Sequence, residues 1–203
     1  MHLQKIAIFC SASRVVPKVY NEQAAPVVAG LCRKGYAIVS GGSFLGTMGV
    51  VSETVAQCGG YHKGVMPRFM EQYAYQELTE TVWTDTMAQR KEEMRRDTLA
   101  VIALPGGIGT LDELIETHVL KKLGQYSGRV VLLNTEGFFN PFLTLLDHYV
   151  ATGMLTPKDR TLVECFDTPE ALLASFPAAV NDSPDGSGCN ESTAGTPAEN
   201  TLS

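Results

Sequence analysis

The chain has 203 residues, with 22 acidic and 16 basic side chains and a formal charge of −6. A hydrophobic content of 44% and a charged content of 19% fit one globular domain with a short extension, and exclude a chain that is disordered throughout. The acidic balance excludes a nucleic-acid binder that works through a basic face, but not a protein that takes a small phosphorylated ligand with a few local groups.

Short apolar runs alternate with longer amphipathic segments along the chain. Residues 6–10, IAIFC, read as a buried strand. Residues 20–33 read as a helix with Ala24, Val27, Val28 and Leu31 on one face, closed by Gly35 as a glycine just past a helix end. A second strand over 36–39 runs into SGGSFLG at 40–46, and a helix follows over 47–57. Gly59 and Gly60 break that helix before a strand over 61–66. Residues 68–80 show no regular pattern, and 81–84 read as a short strand. A helix over 86–96 is opened by a capping box of Thr86 and Gln89. LAVIAL, at 99–104, is apolar throughout and reads as a strand covered on both faces. PGGIGT follows it, then a helix over 111–123 and a strand over 129–134. A helix over 142–152 turns Phe142, Leu145, Leu146 and Tyr149 inward, and a strand over 161–166 and a helix over 169–176 complete the series.

Beyond these, residues 181–203 hold Asp182, Asp185, Glu191 and Glu199 with no Lys or Arg, which leaves only −2 on residues 1–180. The stretch is rich in Gly, Pro, Ser, Thr and Asn and cannot bury enough apolar surface to offset its ordering entropy. The expected organisation is one domain over 1–180 and a disordered acidic tail over 181–203. Five cysteines, at Cys10, Cys32, Cys58, Cys165 and Cys189, form no CxxC pair, so reduced thiols in a cytoplasmic protein are expected. No secretory signal fits the first residues, and glycines and serines interrupt the longest uncharged stretch, so no membrane span is expected. His2, His62, His118 and His148 show no metal-ligand spacing; His118, on the helix after PGGIGT, is the one best placed to approach a site there.

Strand–helix alternation with continuous apolar strands predicts an α/β fold, a doubly wound parallel sheet with helices on both faces. Ligands of such sheets bind beyond the carboxyl ends of the strands. Both glycine-rich turns fall there. In PGGIGTLDE, residues 105–113, Gly106, Gly107 and Gly109 let a ligand approach the backbone, and the helix start that follows offers free N–H groups to a phosphate. No GK[ST] follows and no GxGxxG spacing is present, so neither an ATPase nor a dinucleotide fingerprint is met. Thr110 and Glu113 also have the spacing of a capping box, which needs no function. The turn with Gly41 and Gly42 repeats the chemistry on a neighbouring strand end. In MAQRKEEM, Arg90 lies at helical spacing from Met87 and Met94, either as a snorkelling surface residue or as a ligand clamp.

Taken in order, GG-x(3)-GxMG, M-x-x-RK-x-x-M and PGGxGTxxE resemble the LOG (Lonely guy) family, cytokinin riboside 5′-monophosphate phosphoribohydrolases long labelled as possible lysine decarboxylases. LLN at 132–134 with Gly137-Phe138-Phe139 is similar to the family pattern as well. The resemblance covers residues 5–155, and more weakly to about 176. It implies a Rossmann-like fold, a homodimer with the site near the subunit interface, and no metal or organic cofactor. It implies hydrolysis of the N-glycosidic bond of a nucleoside 5′-monophosphate, cytokinin riboside monophosphate or AMP. Arg90 and Glu113 match the residues held essential. Gly41, Gly42, Lys91, Gly106, Gly107, Ile108, Gly109, Thr110, Leu111 and Asp112 fall on the substrate-binding motifs, and Glu71 stands near a further ligand-contacting glutamate. The chain departs from the pattern at Ser40 and Ser43, where YGGG is usual, at Ala88, where His is frequent, and at Val119, where a ligand-contacting threonine is common. A non-catalytic nucleotide or molybdenum-cofactor carrier of the same fold is the alternative reading.

Overall fold

A computed structural model describes residues 3–180; the expected tail over 181–203 and His2 lie outside the described residues. The strands are β1 (Lys5–Phe9), β2 (Ala37–Ser40), β3 (His62–Pro67), β4 (Glu80–Thr84), β5 (Thr98–Ala103), β6 (Arg129–Leu133) and β7 (Val163–Phe166). They form one sheet in the order β4-β3-β2-β1-β5-β6-β7, and every neighbouring pair is parallel. The helices are α1 (Lys18–Arg33), α2 (Gly46–Gln57), α3 (Met87–Arg95), α4 (Ile108–Lys122), α5 (Asn140–Ala151), α6 (Pro157–Arg160) and α7 (Pro169–Ala174).

The two faces of the sheet follow from side-chain alternation. Ile6 and Ile8 of β1 point to one face, where Val27 and Leu31 of α1, Val51 and Val55 of α2 and Leu172 of α7 cover them. Ala7 and Phe9 point to the other, beneath Met94 of α3, Leu114 of α4 and Leu146 of α5. This is the predicted doubly wound arrangement. Strand order reverses between β1 and β5, so a crevice opens beyond their carboxyl ends.

Several expectations change in detail. The irregular stretch after β3 contains a 3-10 helix over Arg68–Tyr73. The capping box of Thr86 and Gln89 forms as expected and fixes the start of α3. The one expected at Thr110 and Glu113 does not form: α4 begins at Ile108 with Gly107 at the cap, which puts both side chains inside the helix and frees them for other partners. LAVIAL is not covered throughout, because Leu99 is 46% exposed while Ala100 to Leu104 are fully buried. On α5 only Leu146 is buried; Leu145 and Tyr149 face outward.

The LLN motif has a structural explanation. Asn134 Nδ2 donates to Asn140 Oδ1 at 3.0 Å and to Asp167 Oδ1 at 2.9 Å, and its Oδ1 accepts from the Phe139 N–H at 2.8 Å. One amide thereby ties the end of β6 to the start of α5 and to the loop after β7. Asn134→Ala leaves a buried N–H and a carboxylate without this partner, and should lower unfolding free energy by about 1–3 kcal/mol in urea titration.

Candidate active site

Arg90 sits one turn inside α3, whose register is set by the Thr86 cap, and is only 6% exposed. Its Nε–H donates to the carbonyl of Val65 on β3 at 3.1 Å. Its Nη1 donates to Glu113 Oε1 at 2.6 Å. Its Nη2 makes no protein hydrogen bond among the described residues and lies over Gly41. A Cβ at Gly41 would overlap that nitrogen and stand 2.9 Å from Met48 Sδ. Gly41 is therefore small because the guanidinium needs the space.

Glu113 is 4% exposed, on the second turn of α4. Burial pushes its carboxyl above the ordinary glutamate range, and the Arg90 guanidinium opposes that shift. Cys10, just past β1, borders the same space. Burial raises its thiol pKa, the Glu113 carboxylate adds to the rise, and Cys10 stays protonated.

The start of α4 carries free backbone donors. The first helical donor is the Leu111 N–H, to the Gly107 carbonyl at 3.1 Å, so the amides of Ile108, Gly109 and Thr110 precede it without intrahelical partners. A Cβ at Gly106 would press on the Thr110 side chain, whereas one at Gly107 or Gly109 would meet nothing within 4 Å. The last two glycines face open space.

Arg90, Glu113, Gly41, Gly107, Gly109, Thr110 and Asp112 line one cleft of about 330 Å³. Gly42, Gly106, Ile108 and Leu111 support it without lining it. Lys91 is not in the cleft: its Nζ binds Asp112 at 2.9 Å and Glu116 at 2.6 Å, and the bond to Glu116 raises its pKa. Glu71 is exposed on the 3-10 helix, and its neighbour Met70 borders the cleft instead. His118 is buried away from the site, with Nε2 2.9 Å from the Asp159 carbonyl oxygen. Val119 is 48% exposed on α4 and does not reach the cleft either.

Sequence reasoning missed Ser11, Ala12 and Ser13, and the wall of Met48, Met66, Met70 and Met87. The serine loop could have been found from its place after β1, beside the switch point. A larger hollow of about 680 Å³ lies around Arg95, Thr98 and Tyr126, at the amino end of β5, and holds neither Arg90 nor Glu113.

The family described as "Possible lysine decarboxylase" matches residues 48–176. A cytokinin riboside 5′-monophosphate phosphoribohydrolase of Arabidopsis thaliana is 35% identical over 162 residues, 79% of this chain and 75% of that protein. One from Oryza sativa subsp. japonica is 33% identical over 172 residues, 84% of this chain and 71% of that protein. The chain belongs to the LOG family. Solved structures share its fold at low identity. The molybdenum cofactor binding protein from Rippkaea orientalis superposes with a TM-score of 0.67 at 19% identity, covering 86% of this chain and 95% of its own. The molybdenum cofactor carrier protein from Chlamydomonas reinhardtii gives 0.64 at 19%, covering 85% and 95%. At that identity the likeness speaks to the fold alone.

In this LOG-family chain the Arg90–Glu113 pair is an energetic liability if one partner is lost. Arg90→Met leaves a buried carboxylate uncompensated and should lower stability by about 3–5 kcal/mol in denaturant titration, whereas Arg90→Met with Glu113→Leu should recover most of that loss.

Proposed function

We propose that the protein hydrolyses the N-glycosidic bond of a nucleoside 5′-monophosphate, a cytokinin riboside monophosphate or AMP, to free base and ribose 5-phosphate. The observation that carries this reading is a buried carboxylate, Glu113, held 2.6 Å from Arg90 at the edge of an anion-binding helix start.

The phosphate sits on the free amides at the start of α4, where N–H groups and the helix dipole attract it. That fixes the ribose near Arg90 and Glu113 and applies binding energy from a group remote from the reacting bond. As the C1′–N bond breaks, positive charge grows on the ribose ring, and the Glu113 carboxylate stabilises it. The same carboxylate orients water for attack on C1′, as carboxylates do in glycoside hydrolysis. The water oxygen ends on C1′, and its proton balances the departing base. Arg90 keeps Glu113 oriented through Nη1 and offers Nη2 to ligand oxygens.

Pyridoxal phosphate chemistry does not fit the site. It needs a lysine free to form a Schiff base, and no lysine lines the cleft. Lys63 and Lys91 are both committed to carboxylates.

The reading extends to assembly and location. Ile115, Val119 and Leu123 are exposed along and just past the end of α4, and Leu145 and Tyr149 are exposed on α5. Ile108, beside the phosphate loop, is 81% exposed on the same helix. A homodimer through these side chains buries them and brings the cleft close to the interface. Residues 1–180 form the single catalytic domain, and the protein works in the cytoplasm, as the unpaired Cys10, Cys32, Cys58 and Cys165 among the described residues suggest.

Incubation with AMP and with isopentenyladenosine monophosphate, followed by chromatography of free base, should show release from at least one. Binding without release from either would favour the carrier reading. Glu113→Gln should lower release by at least about 100-fold. Because burial raises the Glu113 pKa and the ionised form is the active one, activity should fall on the acid side at a higher pH than an ordinary glutamate gives. Val119→Asp with Leu145→Asp should convert the dimer to a monomer in sedimentation equilibrium.

A further inference from the structure

Ser40 closes β2 and is fully buried, and His62 opens β3 and is 2% exposed. Their side chains share a hydrogen bond of 2.7 Å between Ser40 Oγ and His62 Nε2. Neither residue lines the cleft. Burial lowers the His62 pKa to about 4, so the imidazole is neutral near pH 7, and its Nδ1 has no hydrogen-bond partner. A histidine serving β3 alone would not need this partner on β2.

The consequence of the pair lies one residue further on. Ser40 Oγ accepts a hydrogen bond from the Gly42 N–H at 3.1 Å. Gly42 has a φ of +68°, and a Cβ there would stand 2.9 Å from Gly64 Cα on β3. The turn is thus pinned from within by the serine hydroxyl and pressed against β3. Gly41, held by that turn, forms the floor under Arg90 Nη2. The far side of the guanidinium is fixed by Val65, also on β3.

We propose that Ser40 and His62 are positioning residues for Arg90, acting through the Gly41–Gly42 turn to seat the guanidinium fork opposite Glu113. His62 orients the Ser40 hydroxyl, Ser40 holds the Gly42 amide, and the turn keeps Gly41 low enough for Nη2 to lie flat above it. The serine that departs from the tyrosine of the family pattern is one half of a pair whose other half stands on the next strand. The kinetic consequence rests on the hydrolase reading above; the structural one does not.

The test uses the full chain and two readouts. In protein labelled with ¹⁵N-arginine, the buried Nε–H of Arg90 is assigned by its loss in Arg90→Lys. Ser40→Ala and His62→Leu should shift or broaden that signal, and Ser40→Thr, which keeps an acceptor oxygen, should leave it in place. In the base-release assay Ser40→Ala should lower kcat about tenfold with KM changed by less than about threefold, and Ser40→Thr should restore kcat to within about twofold of the wild type. An unmoved Arg90 signal in both Ser40→Ala and His62→Leu, with only a lower melting temperature, overturns the proposal. Equal damage in Ser40→Ala and Ser40→Thr overturns it as well. A wild-type protein that releases no base sinks the hydrolase reading, and the NMR arm then still decides the positioning role. Should Ser40→Ala fail to fold, Ser40→Cys keeps the volume, weakens the acceptor and carries the same readings.

Discussion

Arg90 and Glu113 face each other at 2.6 Å with more than nine-tenths of each side chain removed from water. Neither charge could be buried alone without a penalty of several kcal/mol, so each exists in its place because of the other. Much of the surrounding structure answers to that constraint. β3 supplies a carbonyl to Nε, the turn after β2 gives up a side chain at Gly41 to make room for Nη2, and α4 starts early enough to carry Glu113 inward on its second turn. Buried ion pairs are a poor route to stability, since apolar residues of similar volume often do as well. A fold that shapes two strands and two helices around one pair keeps it for another reason, and the proposed chemistry at the strand ends would supply one.

A division of labour follows between charge and backbone. The cleft has one buried cation, and that cation is already engaged with a carboxylate. Lys91, the other basic group of the motif, is held outside the cleft by Asp112 and Glu116. Apart from Arg90 Nη2, the donors open to an anionic ligand on the proposed reading are neutral, the amides at the start of α4. On the proposed reading, this is how a chain with a formal charge of −6 would hold a phosphate. The affinity comes from dipoles aimed at one point, and net charge contributes little to it. It also leaves Glu113 in a cleft that no lysine lines.

The sheet was legible in the sequence because its signals were local. Buried strands in a parallel sheet are short apolar runs, and IAIFC and LAVIAL stand out against any background. Their edges were less clear: Leu99 belongs to the run by composition but emerges into solvent at the strand start. The outward turn of Leu145 and Tyr149 could not be read from helical spacing, because an apolar stripe facing outward and one facing the core have the same period. Arg90 and Glu113 were legible through the family pattern, and their contact was not, since 23 residues and a strand separate them. The capping-box reading of Thr110 and Glu113 failed because glycine at the cap let α4 begin two residues before Thr110. The methionine wall had no local signature at all. Its members come from α2, β3, the 3-10 helix and α3, and only the fold assembles them.

Glycines look alike in a sequence, yet those of this site serve two different constraints. At Gly41 and Gly106 an added Cβ would strike Arg90 or Thr110, so these positions are small for the protein's own sake. At Gly107 and Gly109 an added Cβ would strike nothing, and no packing argument within the described residues accounts for them. At the cap, where Gly107 stands, glycine is preferred to alanine, but inside the first turn, where Gly109 stands, it is less favourable than alanine by roughly 0.5–1 kcal/mol, a cost without compensation in the protein alone. The compensation has to come from something that approaches the backbone more closely than a methyl group permits. A phosphate on the free amides of Ile108, Gly109 and Thr110 meets that condition. The open glycines of the second loop therefore fit the ligand proposed for it, while the closed glycine of the first makes room for Arg90.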